Sequence, residues 1–358
     1  MTASSPRETA DDASRFGLTD SLLDELRLRE EADWPAAEFA QLAEAGILRW
    51  SVPEEFEGLA VDDRLFTAGY IALAEADLAT CFVLTQRNGA VQRIASSRNA
   101  TVHRWLPRLA SGELFATVGI SHLTTSRQHT APPVRVTEKG DAFVLSGTVP
   151  WATSATRADL LVTGGQLEDG RQLLAVVDVG AAGDRVRPNS PMTLLALSAS
   201  ETGTVTLDDV VVSRDDVIAG PVEAVMKQGS GGGAGSLTTS ALAVGLSERA
   251  VRGLERESAG RDEVGGPAAS LRDAVDRLRS DVLETAAGGT SHSAESLRSR
   301  ANSLASRATQ AYLTATKGAG FVAGHPAEQA VREAMFFLVW SCPRPVAEAA
   351  LQGFACSA

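Results

Sequence analysis

The chain has 358 residues, 44% of them hydrophobic, and 33 Lys and Arg against 45 Asp and Glu, for a formal net charge of −12. That length allows two or three structural units, or one multi-lobed domain with a substantial core. The acidic balance argues against nucleic acid or an anionic membrane surface as the main partner. No apolar run approaches the ~18 residues of a membrane span. Cys81, Cys342 and Cys356 form no Cys-x-x-Cys and no Cys/His cluster, which argues against a zinc site or a disulfide framework. The polar, mixed-charge start lacks the apolar core of a signal peptide, so a cytoplasmic setting is expected.

Residues 1–15 read as a disordered tail and 16–114 as a helical domain. Leu22, Leu23, Leu26, Leu28 and Ala32 fall near helical spacing. Pro35 opens a second helix that Gly46 ends. Pro53 and Gly58 mark a loop, and the apolar stretch from Leu65 to Ala95 predicts one or two buried helices. Residues 115–222 change period. Short β-branched runs recur every ten or twelve residues, punctuated by Gly, Asp, Asn and Ser, which predicts an antiparallel β-sandwich or barrel. Residues 223–358 return to helix. In the last long run Leu297, Ala301, Leu304, Ala308, Ala311 and Ala315 share one face, and a four-helix bundle is expected. The Gly229–Gly235 piece lacks a preceding strand and the Gly-Lys-Ser/Thr ending of a phosphate loop, and reads as a flexible helix entry. The fold class is therefore α+β and multi-lobed: helices, then β, then helices.

Five phrases at the joints of this order resemble the acyl-CoA dehydrogenase family of flavoproteins. They are AGILRWSVPEEFEGLAVDD, WLPRLASGELFATVGIS, VLSGTVPWATSATRADLLVTGG, TVTLDDVVVSRDDVIAG and GAGFVAGHPAEQAVREA. The resemblance implies FAD as cofactor. It sets Trp151 and Thr153, followed by Ser154, against the isoalloxazine, and Ile120 and Ser121 at the end of the first middle-domain strand beside it. Flavin binding needs such a flat wall and such donors. It also implies that Arg261 and the Lys317-Gly318-Ala319-Gly320 turn reach the diphosphate of a neighbouring subunit's flavin, and hence a homodimer or homotetramer. Arg suits a diphosphate through its charged fork, and Gly318 and Gly320 allow close backbone approach.

The departures from the family's pattern bear on mechanism. Ser341 stands where the family's glutamate base is expected, and a neutral hydroxyl is a poor base without a helper. The glycine turn and Ser-Asp pair of the CoA-facing loop are replaced by His122 through His129. His122, next to Ser121, is either a surface-loop histidine or a base near the flavin edge. Cys342 and Ser341 are candidates to line the substrate pocket, as are Arg87 and Asn88. Glu201 and Glu248 are the nearest carboxylates by sequence.

Three functions compete. The first is oxidation of an acyl thioester, including one on an acyl carrier protein, or of an unusual small molecule by a flavin-dependent dehydrogenase. The second is a monooxygenase of the same fold, supplied with reduced flavin by a separate flavin reductase. The third is a non-redox relative, a cyclase or a partner subunit.

Overall fold

The computed structural model describes residues 16–29, 33–124, 132–228 and 237–355. The proposed tail, Gly229–Gly235, residues 125–129 of the CoA-facing loop, Ala32 and Cys356 lie outside them.

The N-terminal segment forms α1 (Asp20–Arg27), α2 (Ala36–Glu44), α3 (Asp63–Ala76), α4 (Leu78–Ala95) and the short α5 (Leu106–Ala110). Side chains set their ends. Thr19 accepts from the Leu22 amide at the start of α1, and Asp62 accepts from the Leu65 amide at the start of α3. Gly46 ends α2 with φ +76, a conformation that costs other residues more. The apolar stretch divides at Asp77, whose carboxylate takes the Ala79 and Thr80 amides that open α4. Leu28 does not continue the buried face of α1; it lies past the helix end and is 82% exposed.

The middle segment is one eight-stranded sheet: β1 (Ala116–Gly119), β2 (Val134–Lys139), β3 (Ala142–Ala152), β4 (Leu160–Gln166), β5 (Gln172–Asp178), β6 (Val186–Pro188), β7 (Gly203–Ser213) and β8 (Val217–Val222). Its order is β6-β7-β3-β2-β4-β5-β8, with β1 beside β4. Most pairings are antiparallel as expected, but β1 and β2 each run parallel to β4. One face closes around Phe143, Leu145, Val149, Leu161 and Val205. The other face, with Leu160, Val162, Leu174 and Val176, packs on Ala90, Val91 and Ile94 of α4. β4 is covered on both sides, which is why its sequence reads as continuously apolar. The short helix α6 (Val179–Ala182) follows β5.

The C-terminal segment holds α7 (Leu237–Glu257), α8 (Asp262–Ala286), α9 (Ala294–Thr316), α10 (Pro326–Val339) and α11 (Arg344–Ala355). The first four form the expected bundle. α8 starts earlier than the apolar pattern suggests, running through Gly265, Gly266 and Pro267. Asp262 and Glu263 in its first turn suit the helix dipole.

The first and third segments, far apart in sequence, share one core. Leu22, Ile71, Leu246, Leu304 and Phe337 belong to the same apolar cluster. Glu75 of α3 reinforces the junction. It is 3% exposed and takes Arg27 of α1 at 2.5 Å and Arg252 of α7 at 2.8 Å.

Glu248 of α7 lies in the same junction, and burial pushes its carboxyl above the ordinary range, with Arg279 at 3.5 Å opposing. The folded chain therefore holds that proton to higher pH than the unfolded chain does. Stability from this group falls as pH rises from the ordinary carboxylate value through the raised one, and stays lower above it. Glu248→Gln is expected to raise Tm at pH 7 relative to its effect at pH 4. An equal change at both pH values in thermal unfolding would exclude this role.

Candidate functional site

The candidate site is built where the end of β3 meets the end of α10. Trp151, one residue before the last of β3, is a large aromatic 37% exposed. Its ring meets Trp340 edge-on, with centroids 6.4 Å apart and planes at 87°. Trp340 stacks on Phe336 at 5.4 Å and meets Phe82 of α4 edge-on at 4.9 Å. Three segments thus converge on one aromatic cluster. Trp340 leads into Ser341, whose φ is +43, and Cys342. The structure therefore brings Trp151 against Trp340, from which Ser341 and Cys342 follow. Ser341 is exposed and Cys342 half-buried.

Ile120 and Ser121 follow β1 and are partly exposed. The Ser121 Oγ is buried and has no hydrogen-bond partner. Such an orphaned hydroxyl marks a place for an external polar group. Together with the partly bare indole of Trp151, it fits a flat heteroaromatic ring with polar edges.

Thr153 and Ser154 are placed differently from the expectation. Both are at most 1% exposed. The Thr153 hydroxyl pairs with that of Thr202 at 3.0 Å, and the Thr153 carbonyl accepts from the Thr117 hydroxyl at 2.6 Å. The Ser154 hydroxyl donates to the Ser200 carbonyl at 2.9 Å and accepts from Trp34 Nε1 at 2.8 Å. These bonds lock the strand end that presents Trp151; the two hydroxyls do not face a cleft.

His122 is also corrected. It is 8% exposed, not on a surface loop, and its Nε2 bonds the Gly164 carbonyl at 2.8 Å. It is tied to β4 rather than presented as a base. Arg87 and Asn88 are each 1% exposed inside the N-terminal lobe. Arg87 donates to the carbonyls of Leu48 (2.7 Å) and Leu109 and to Asn88 Oδ1 (2.8 Å), while Asn88 donates to the Tyr70 hydroxyl at 3.0 Å. They brace helices and loops of that lobe.

Arg261 reaches the end of α9 that leads into Lys317. Arg261 caps α8, and its Nη1 donates to the Ala315 carbonyl at 2.8 Å, two residues before Lys317. Its guanidinium also stands 3.2 Å from Glu263 and 3.5 Å from Glu257, so part of its charge is used within the chain. Lys317 and Gly318 are exposed. Gly318 has open space where a side chain would stand, whereas a Cβ on Gly320 would strike Thr316 Oγ1. Gly320 thus serves local packing.

Two carboxylates among the described residues are committed to other partners. Glu201 pairs with Arg157 at 2.7 Å and is held below its ordinary range by that bond. Glu333, fully buried, is engaged by Arg249 and by Gln329 at 2.9 Å. The group the sequence reading missed is a cation. Arg298 of α9, fully buried, donates through Nη2 to the carbonyls of Trp340 at 2.8 Å and Phe337 at 3.2 Å. Its signal lay in α9 itself, where Arg298, Asn302, Ala305 and Thr309 form a second buried stripe beside the expected one.

Among the described residues, no helix is long and apolar enough to cross a membrane, and no His/Cys/Asp/Glu group is arranged to hold a metal.

Comparison with known proteins agrees with this architecture. Residues 7–113 match the acyl-CoA dehydrogenase N-terminal domain. The mouse mitochondrial short-chain specific acyl-CoA dehydrogenase is 22% identical over 206 residues, 54% of this chain and 48% of that protein. The matched region thus spans about half the length of that curated relative. The structure of a glutaryl-coenzyme A dehydrogenase in complex with glutaryl-CoA superposes with a TM-score of 0.80 at 17% identity, covering 99% of this chain and 97% of the other. A nitrososynthase from Micromonospora carbonacea var. africana gives 0.74 at 19% identity, covering 100% and 98%. Residues 7–113 thus match the acyl-CoA dehydrogenase N-terminal domain, and the chain as a whole has the three-part fold of the solved glutaryl-coenzyme A dehydrogenase.

Proposed function

We propose that the protein is a flavin-dependent oxidoreductase whose cleft is walled by Trp151 and the Trp340–Cys342 turn, and that it works without a carboxylate base. The single observation that carries this reading is the pairing of a partly bare Trp151 with a turn whose nearby charge is the Arg298 guanidinium. A bound flavin supplies the ring that accepts or passes on electrons. Trp151 gives it a flat wall and the Ser121 hydroxyl a hydrogen bond at its edge, with Ile120 alongside. Phe82, Phe336 and Trp340, packed behind Trp151 in one aromatic cluster, would keep water from that wall. Ser341 and Cys342 face the substrate.

FAD is the flavin favoured over FMN, because Arg261 reaches the end of α9 that leads into Lys317, where a diphosphate would find two cations. That contact belongs to a neighbouring subunit's cofactor, which makes the working unit a homodimer or a dimer of dimers.

Abstracting an α-proton needs a base opposite the flavin. Its replacement by Ser341, beside a buried cation, favours oxygen-dependent oxidation by a monooxygenase that receives reduced flavin from a separate reductase. The dehydrogenase reading, with an acyl thioester as substrate, has the N-terminal domain match in its favour.

The two separate in one experiment. The flavin-loaded protein is mixed anaerobically with a panel of acyl-CoA thioesters, and separately with a flavin reductase, NADH and oxygen. The oxygen-using reading expects no bleaching by the thioesters, and oxygen consumption with the reductase that exceeds that of reductase, NADH and flavin without this protein. Bleaching by a thioester would establish the dehydrogenase instead. A protein that takes up no flavin would point to the non-redox relative.

A further inference from the structure

A fully buried guanidinium normally has a carboxylate partner, because an uncompensated charge in the interior is costly. Arg298 has none among the described residues. Its Nε donates to Asn302 Oδ1 at 2.9 Å, and Nη2 takes the Phe337 and Trp340 carbonyls. Asn302 Nδ2 donates to the same Phe337 carbonyl at 2.9 Å. The remaining nitrogen, Nη1, is buried without a partner. Burial pulls the guanidinium down to about 10, still well above neutrality, so the cation persists.

The acceptors explain its place. The last carbonyls of a helix have no partner within the helix. Here they are the carbonyls from which the Trp340–Cys342 turn departs, and a cation at a helix C-terminus is favoured by the dipole. Two side chains of α9 therefore clamp the end of α10, and Ser341 leaves that clamp in the left-handed region.

We propose that Arg298 is the positioning residue of this cleft: it fixes the Trp340–Cys342 turn against Trp151 and sets a positive charge beside the Cys342 thiol. This rests on reading Trp151 and the turn as the two walls of the redox cleft. The charge at the turn is thus opposite in sign to that of a glutamate base. Burial raises the Cys342 thiol, and Arg298, the charged group acting on it among the described residues, pulls it back. Other charges packed nearby are committed elsewhere: Glu333 to Arg249, and Arg344 to Glu348.

The test needs neither flavin nor substrate. In a Cys81→Ser, Cys356→Ser background, the pH dependence of Cys342 alkylation by iodoacetamide is measured, together with the near-ultraviolet circular dichroism of the Trp151–Trp340 pair. Arg298→Met is expected to move the alkylation midpoint up by about one pH unit and to weaken the tryptophan signal. Arg298→Lys should keep the midpoint near that of the parent while losing part of the signal, because it keeps the charge and not the fork. A folded Arg298→Met with unchanged midpoint and unchanged signal overturns the proposal. Should that variant not fold, Asn302→Ala removes the brace and keeps the charge. It should then hold the midpoint and weaken the signal, and an unchanged signal would refute the positioning role. Failure to bind flavin would remove the redox reading without altering these outcomes.

Discussion

Gly245→Leu is expected to destabilise the protein by roughly 3 kcal/mol, lowering Tm by several degrees. Gly245 lies mid-way along α7, where α3 crosses it. A Cβ there would run into the Ile71 carbonyl oxygen and come within 2.8 Å of Ala74 Cβ and the Glu75 nitrogen. The obstacles are largely backbone, so no rotamer change relieves them. A glycine inside a helix costs about 1 kcal/mol relative to alanine, and here that cost is offset by the close approach it permits. Gly265 on α8 is the control, because it has open space at its Cβ. Gly265→Ala should be neutral or stabilising. If thermal unfolding showed Gly245→Leu to be as stable as the parent, the first and third segments would not share the tight core described above.

Trp151→Ala is expected to weaken flavin binding without a comparable loss of fold stability. A planar heterocycle stacked on an aromatic side chain gains about 1–3 kcal/mol, or roughly 5- to 150-fold in Kd. Trp151 is already 37% exposed, and its strand end is held from behind by the bonds of Thr153 and Ser154. Truncation therefore removes the wall and leaves its support. Fluorescence titration with FAD reads the affinity, and thermal unfolding reads the fold. An unchanged Kd would place the cofactor elsewhere.

The three-part order was legible because apolar spacing changes from helical to alternating at about residue 115 and back near 223. Gly46 and Pro35 punctuated α2 for physical reasons that hold in any context. Other features depend on tertiary partners. The parallel pairing of β1 with β4 leaves no mark in a strand buried on both faces.

At the site, Trp151 and the Ser341 turn were found through phrases at chain joints, and the fold brings them together. Thr153, Ser154 and His122 stand just past the ends of β3 and β1, where hydrogen bonds to Thr202, to Ser200 and Trp34, and to Gly164 turn them inward. Arg87 and Arg298 illustrate the opposite error. A charged residue in a helix suggests solvent or ligand, yet both are buried and hold backbone carbonyls. Only the packing of two helices against one turn shows where such a charge is spent.

The most direct test of the redox cleft is a structure of the flavin-loaded protein. The ring is expected against Trp151, with an acceptor or donor gained by Ser121 Oγ, the Trp340–Cys342 turn beside it, and no carboxylate facing it. A flavin bound elsewhere, such as in the 740 Å³ cavity lined by Arg93, Phe143 and Ile218, or a glutamate brought up beside the ring, would contradict it.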